Sequence, residues 1–142
     1  MKVPVKNNRR EILRAAALLA PLRALAEGPT ALATGTLSPA EAKHAGQPYG
    51  ETWQYFSGPT AELSLLTANA IRLKPGMAPH PPHTHPEPEI MLVTEGTGQF
   101  TIEGKKTAVG PGSMAYCAGN REHGVVNTGK APMTYFFWKW KR

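Results

Sequence analysis

From Glu51 onward, apolar residues recur in short runs that alternate with polar ones: Thr52–Phe56, Ala61–Leu73, Ile90–Thr94, Gln99–Ile102, Ser113–Cys117, Gly124–Val126 and Met133–Trp140. Between them stand turn formers: Gly58-Pro59, Lys74-Pro75-Gly76, Gly96-Thr97-Gly98, Glu103-Gly104-Lys105, Gly110-Pro111-Gly112 and Thr128-Gly129-Lys130. Short runs punctuated in this way predict strands joined by tight turns. Roughly six to eight strands in about 90 residues is the pattern of a small all-β sandwich or barrel, and no fixed-length repeat suggests a solenoid or propeller. The last run is aromatic on both faces, so it requires cover twice, from the barrel interior and from the N-terminal arm or a second subunit. A homodimer with the terminal strands near its interface is the expectation.

The chain before this region reads differently. Residues 27–48 are small, polar and free of aromatics, as a tether or surface arm should be. Within them Ser38-Pro39-Ala40-Glu41 has a capping-box arrangement, and Gly46 stands where a helix could end, which leaves space for at most two turns. Residues 1–26 combine Arg9, Arg10 and Arg14 with an apolar stretch from Ala15 to Leu22 and an Ala24-Leu25-Ala26 site. These are the physical parts of an export signal, too short in its apolar part to span a bilayer stably. Ala31-Leu32-Ala33 allows a cut as late as 33. Arg9-Arg10 followed by Glu11, Ile12 and Leu13 resembles a twin-arginine signal. That resemblance implies export of a folded protein to a bacterial periplasm, with no stable membrane insertion after processing. The other reading is a basic amphipathic helix packed on the domain or on a membrane surface. The chain thus divides into a signal (1–26), an arm (27–48) and a β-barrel domain (49–142).

Length and charge narrow the classes. With 142 residues there is room for one compact domain. The formal net charge of +6 would suit a nucleic-acid binder, but six of the 16 basic groups and one of the ten acids lie in residues 1–26. The rest of the chain carries a net +1 and has no electrostatic footprint for polyanions, so no nucleic-acid partner is expected. One cysteine, Cys117, excludes an internal disulfide and reads as a small buried thiol. Trp53, Trp138 and Trp140 read as core or interface.

The chemistry concentrates in His83-Thr84-His85-Pro86-Glu87-Pro88-Glu89. Were this segment a strand, residues 83, 85, 87 and 89 would share one face, and two imidazoles with a carboxylate could close on a single ion. Pro82, Pro86 and Pro88 have the opposite parity and would stiffen the segment. Glu89 runs directly into Ile90-Met91-Leu92-Val93, where an unpaired carboxylate would be costly to bury and a divalent cation would remove that cost. Downstream, Ala118-Gly119-Asn120-Arg121-Glu122 reads as a turn that returns His123 beside the first cluster, with Asn120 suited to left-handed geometry.

At this point the residues resemble a family. Gly76, His83-x-His85, Glu89 after three residues and Gly96 after six more are similar to the first motif of the cupin superfamily, with one extra residue between Gly76 and His83. Gly112, Ala118-x-Asn120, His123 and Asn127 are similar to its second motif, with Ala118 in place of the usual Pro and Asn120 in place of the usual Gly. The resemblance covers about residues 59–140. It implies a single-domain, type-2-like cupin: a small jelly-roll-like double-stranded β-barrel behind a short N-terminal arm. It also implies that His83, His85, Glu89 and His123 are metal ligands, and the spacing to Gly96 favours Glu89 over Glu87 as the carboxylate. Glu87, His80 and Tyr116 remain as acid–base candidates around that set, His80 at its rim, while His44 lies in the arm and reads as solvated.

Three neutral imidazoles and a carboxylate would leave a divalent ion at net +1, with two open positions if six-coordinate. Fe, Mn, Ni, Cu and Zn all suit such a nitrogen and oxygen set. A small molecule with two oxygens, such as an enediol, a hydroxyketone or a β-dicarbonyl, could chelate there. The expectation is a metal-dependent cupin acting on a small oxygen-rich organic molecule, oxygenase-like or isomerase-like. Two alternatives stand beside it: a non-catalytic module that binds a sugar or organic acid through the metal, and a structural barrel whose metal ties two strands together.

Overall fold

The computed structural model describes residues 30–142, so the signal reading of residues 1–26 lies outside the described residues. Among the described residues nine strands follow one another: β1 (Lys43–Gln47), β2 (Gly50–Gly58), β3 (Leu65–Leu73), β4 (Glu89–Glu95), β5 (Gly98–Ile102), β6 (Lys105–Val109), β7 (Met114–Cys117), β8 (His123–Val126) and β9 (Met133–Lys141). Every pairing is antiparallel. Six strands form one sheet in the order β1-β2-β3-β9-β4-β7, and three form a second in the order β6-β5-β8. The two sheets face each other in a small jelly-roll-like barrel, as the strand pattern predicts. No helix among the described residues is long and apolar enough to cross a membrane.

Register decides what faces inward. Residues paired across strands share a face, so Ile71 of β3, Tyr135 of β9 and Val93 of β4 form one inward row. The core continues through Leu73, Met91, Met133 and, from the small sheet, Phe100 and Val125. On β9, Tyr135, Phe137 and Lys139 take the inward parity, whereas Phe136, Trp138 and Trp140 take the outward one. The strand is therefore aromatic on both faces. Its neighbours β3 and β4 place it inside the larger sheet, away from both edges.

Two stretches depart from the sequence reading. The capping-box bonds do form: the Ser38 backbone N–H and Oγ donate to Glu41 Oε2 at 2.8 and 2.6 Å. They close one turn only, after which the chain extends into β1 and pairs with β2, so the expected short helix is absent from the described residues. The expected strand over 83–89 is also absent: β4 begins at Glu89, and the chain bends at Pro86 and Glu87. Prolines at 86 and 88 supply no N–H for a continuous ladder, so pairing waits for the first residue after them.

Candidate metal centre

The bend does by another route what a straight strand would have done. His83 pairs with His123 in an isolated antiparallel bridge. Two residues on, the His85 carbonyl accepts the Asn120 N–H at 2.7 Å. Asn120 adopts φ +62°, the left-handed geometry its side chain tolerates better than most. Beside it, a Cβ on Gly119 would collide with the Pro86 carbonyl, so the loop before β8 lies directly on the Pro86 bend. Glu89, the first residue of β4, pairs with Cys117 of β7 and Lys139 of β9. Its side chain therefore shares the inward parity of β4 with Met91 and Val93.

The three imidazoles offer ligand atoms that all lie within 4.8 Å of one another. Glu89 joins them: its Oε2 is 3.5 Å from His85 Nε2 and its Oε1 3.6 Å from His123 Nε2. His123 Nδ1–H donates to the Arg121 carbonyl at 2.9 Å, which leaves the Nε2 lone pair turned to the cluster. His83 Nδ1, His85 Nδ1 and His123 Nε2 are buried without a hydrogen-bond partner among the described residues. Buried nitrogens without partners are costly, and a shared cation satisfies those that face the centre. By donor type, number and proximity these residues fit a divalent ion.

Electrostatics lead to the same place. Burial, reinforced by the imidazoles of His80, His123 and His85, lowers His83 to about 4. Burial and then His123 and Lys139 lower His85, against the opposing pull of Glu87. Burial raises Glu89 to about 7, although Lys139 and His80 work to lower it. Neutral imidazoles are metal ligands, and the cost of an unpaired Glu89 carboxylate in this pocket is one a cation would offset.

The remaining candidates divide. Glu87 Oε2 lies 3.5 Å from His85 Nδ1, a charge contact that lacks hydrogen-bond alignment, so it sits behind His85 rather than in the cluster. His80 is exposed at the rim, its ring edge-on to His83 with centroids 3.9 Å apart. Tyr116 is not brought to the site: it is 61% exposed and has the opposite parity from Cys117, which points it to the outer face of the sheet. His44 stacks on Trp53 and contacts Glu51 at the surface. Cys117 is buried, donates weakly to the Arg121 carbonyl at 3.5 Å, and burial raises its thiol, as suits an inert side chain.

Above the cluster is a cavity of about 90 Å³ whose wall includes Tyr135, Phe137 and Lys139 of β9 as well as Met91 and Val125. The sequence reading did not assign Tyr135 and Lys139 to the site. Their alternation on β9 was visible, but only the pairing of Lys139 with Glu89 shows which parity faces the ligands.

The cupin domain family model matches residues 69–139, half the chain and both motifs. The chain belongs to the cupin domain family. No curated protein matches this cupin. Among solved structures it is similar to an RmlC-like cupin from Shewanella frigidimarina, at 13% identity and TM-score 0.63, over 78% of this chain and 93% of that one. KdgF from Halomonas sp. is similar at 20% identity and TM-score 0.63, over 77% and 96%. A sugar phosphate isomerase of the cupin superfamily from Silicibacter pomeroyi is similar at 24% identity and TM-score 0.61, over 76% of each chain. At these identities the likeness establishes the fold of this cupin, while its site must be argued from its own residues.

Proposed function

We propose that this cupin holds one divalent metal ion, of the Fe, Mn, Ni, Cu or Zn type, through His83, His85, Glu89 and His123, and uses it to act on a small oxygen-rich organic molecule. The observation that carries the reading is the convergence of three histidines from two distant segments with the Glu89 carboxylate beside them. When bound, such an ion supplies a Lewis acid that polarises a ligand oxygen and stabilises negative charge developing next to it. The chain supplies the rest. Arg121 fixes the His123 ring through its carbonyl, and Glu87 lies against the far edge of His85. Phe137, Met91 and Val125 form the apolar wall that limits water around the reacting molecule.

Oxygenase-type and isomerase-type chemistry both begin with a chelated carbonyl or hydroxyl, and the Silicibacter neighbour, named a sugar phosphate isomerase, supports the second class. The experiment is elemental analysis of untagged protein, followed by oxygen uptake and product NMR with diketones, hydroxyketones and sugars. Stoichiometric metal with turnover of one class supports the proposal; a metal-loaded protein that binds saturably without turnover makes this cupin a binding module instead. Protein that takes up no metal on reconstitution ends the reading.

The proposal extends to location. The basic, apolar and Ala-x-Ala parts of residues 1–26 support export through a twin-arginine-type route. Cell fractionation, with N-terminal sequencing of the mature protein, tests it; an intact N-terminus in the cytoplasm would remove this part.

A further inference from the structure

Lys139 is the one cation among the described residues on the wall of the small cavity over the metal cluster. Its backbone stands opposite Glu89 in the β4–β9 register, so the two side chains share the inward face. Yet no carboxylate among the described residues lies within ion-pairing distance of its ammonium: Glu89 approaches His85 and His123, and Glu87 approaches His85. Lys139 is half-buried, and because Glu89 is turned to His85 and His123 its ammonium makes no direct ion pair among the described residues.

The charges on the cavity side are therefore one-sided. A divalent ion with Glu89 leaves one positive charge, and Lys139 adds a second. Around both, the wall is apolar: Ile71, Met91, Val125 and Phe137. Such a pocket focuses positive potential and selects anions. Its volume of about 90 Å³ is small beside ordinary ligand pockets of roughly 300–1,000 Å³, so the part of the ligand held here has few heavy atoms.

We propose that Lys139 is the anion anchor of this cavity, and that its ligand is a short carboxylate with a second oxygen on the adjacent carbon, a 2-oxo or 2-hydroxy acid. The inference rests on the reading of the four clustered residues as a metal site. The carboxylate pairs with the Lys139 ammonium, and the neighbouring oxygen faces the metal cluster. Tyr135, on the same inward parity of β9, contributes to the wall of that cavity while itself almost fully buried.

Calorimetric titration of the zinc-loaded protein with pyruvate and lactate, against hydroxyacetone as the neutral match, tests this, with metal content measured on every sample. The expected result is saturable binding of the acids that weakens tenfold or more in Lys139→Met, recovers to within about threefold of wild type in Lys139→Arg, and changes little for hydroxyacetone in either variant. Metal content should be equal in all three proteins. Acids bound by Lys139→Met as tightly as by wild type would overturn the assignment, as would a metal-loaded wild type that binds no acid or prefers hydroxyacetone. A wild type that holds no zinc would instead overturn the metal reading on which the inference stands.

Discussion

His83 and His123 exchange both backbone hydrogen bonds, N–H to carbonyl in each direction at 2.9 Å, although 40 positions separate them in the chain. The first and second motifs are thus joined by the main chain, independently of any ion. Asn120 to His85 adds a third link at 2.7 Å. A site organised in this way should survive loss of its metal. We expect chelation to leave the far-ultraviolet circular dichroism and the dispersion of the amide NMR spectrum intact while lowering the unfolding temperature, since an ion that binds only the folded state stabilises by mass action. Collapse of the spectrum on chelation would mean that the ion, rather than the bridge, assembles the barrel.

The ligands themselves should be separable from the residues around them. His123→Gln removes an imidazole whose ring is already oriented by Arg121, and metal affinity should fall by at least about tenfold. Tyr116→Phe, on the outer face, should leave affinity unchanged. Competition with a chromogenic chelator measures both. Equal affinities in the wild type and His123→Gln would remove His123 from the set.

Asn127, of the second motif, does different work. It is fully buried, its Nδ2 donates to the carbonyls of Leu73 and Ala131 at 3.0 and 2.9 Å, and its Oδ1 accepts the Gly129 N–H at 2.9 Å. One amide thereby satisfies three backbone groups, two in the β8–β9 connection and one at the end of β3. Asn127→Ala would leave them unpaired where water enters with difficulty, at a cost of about 2–4 kcal/mol. Denaturant unfolding should show a lowered midpoint, with metal stoichiometry of the folded protein unchanged.

What the sequence disclosed follows from which strands have a buried face. The runs with inward apolar residues, such as Ile90–Thr94 and Met133–Trp140, lie within β4 and β9 to within a residue or so. The strands β1 and β6 escaped notice because Lys43–Gln47 is exposed throughout and Lys105–Val109 nearly so, leaving no hydrophobic alternation to read. The turn between β5 and β6 was marked by Gly104, but its tight two-residue form also needs Glu103 at φ +47°, which no residue preference announces. The four clustered residues were legible from spacing, although the parity argument for 83–89 was not how they converge. Lys139 and Tyr135 were not legible, because the face of β9 that meets Glu89 is fixed by a pairing 50 residues apart in the chain.

The outer face of the larger sheet presents a further expectation. Cross-strand pairing aligns Trp53, Phe136, Leu92 and Met114 in one row and Trp138, Ile90 and Tyr116 in the next. Met114 and Tyr116 are 64% and 61% exposed. An apolar surface of this kind suits a self-complementary contact. We expect a homodimer at micromolar concentration by sedimentation velocity, and its dissociation in a Met114→Lys, Tyr116→Lys double variant whose own fold is spared because both side chains are exposed. A wild type that sediments as a monomer would exclude the arrangement.

Tyr135 sets the response to alkali. Burial, followed by the charges of Glu89 and Tyr49, raises its phenol well above the usual tyrosine range. Below about pH 10 the phenol is protonated in both the folded and the unfolded chain and contributes no pH dependence. Above that the unfolded chain gives up the proton while the folded chain keeps it, so stability falls as pH rises, by up to about 1.4 kcal/mol per unit, until the folded group also ionises. Tyr135→Phe has no such proton to lose. Chemical denaturation between pH 8 and 11.5 should therefore give a shallower alkaline decline for the variant, although Tyr49, also raised by burial, keeps part of the slope in both. Parallel declines would mean that Tyr135 ionises in the folded barrel as readily as in the unfolded chain, which a fully enclosed phenol beside Glu89 does not permit.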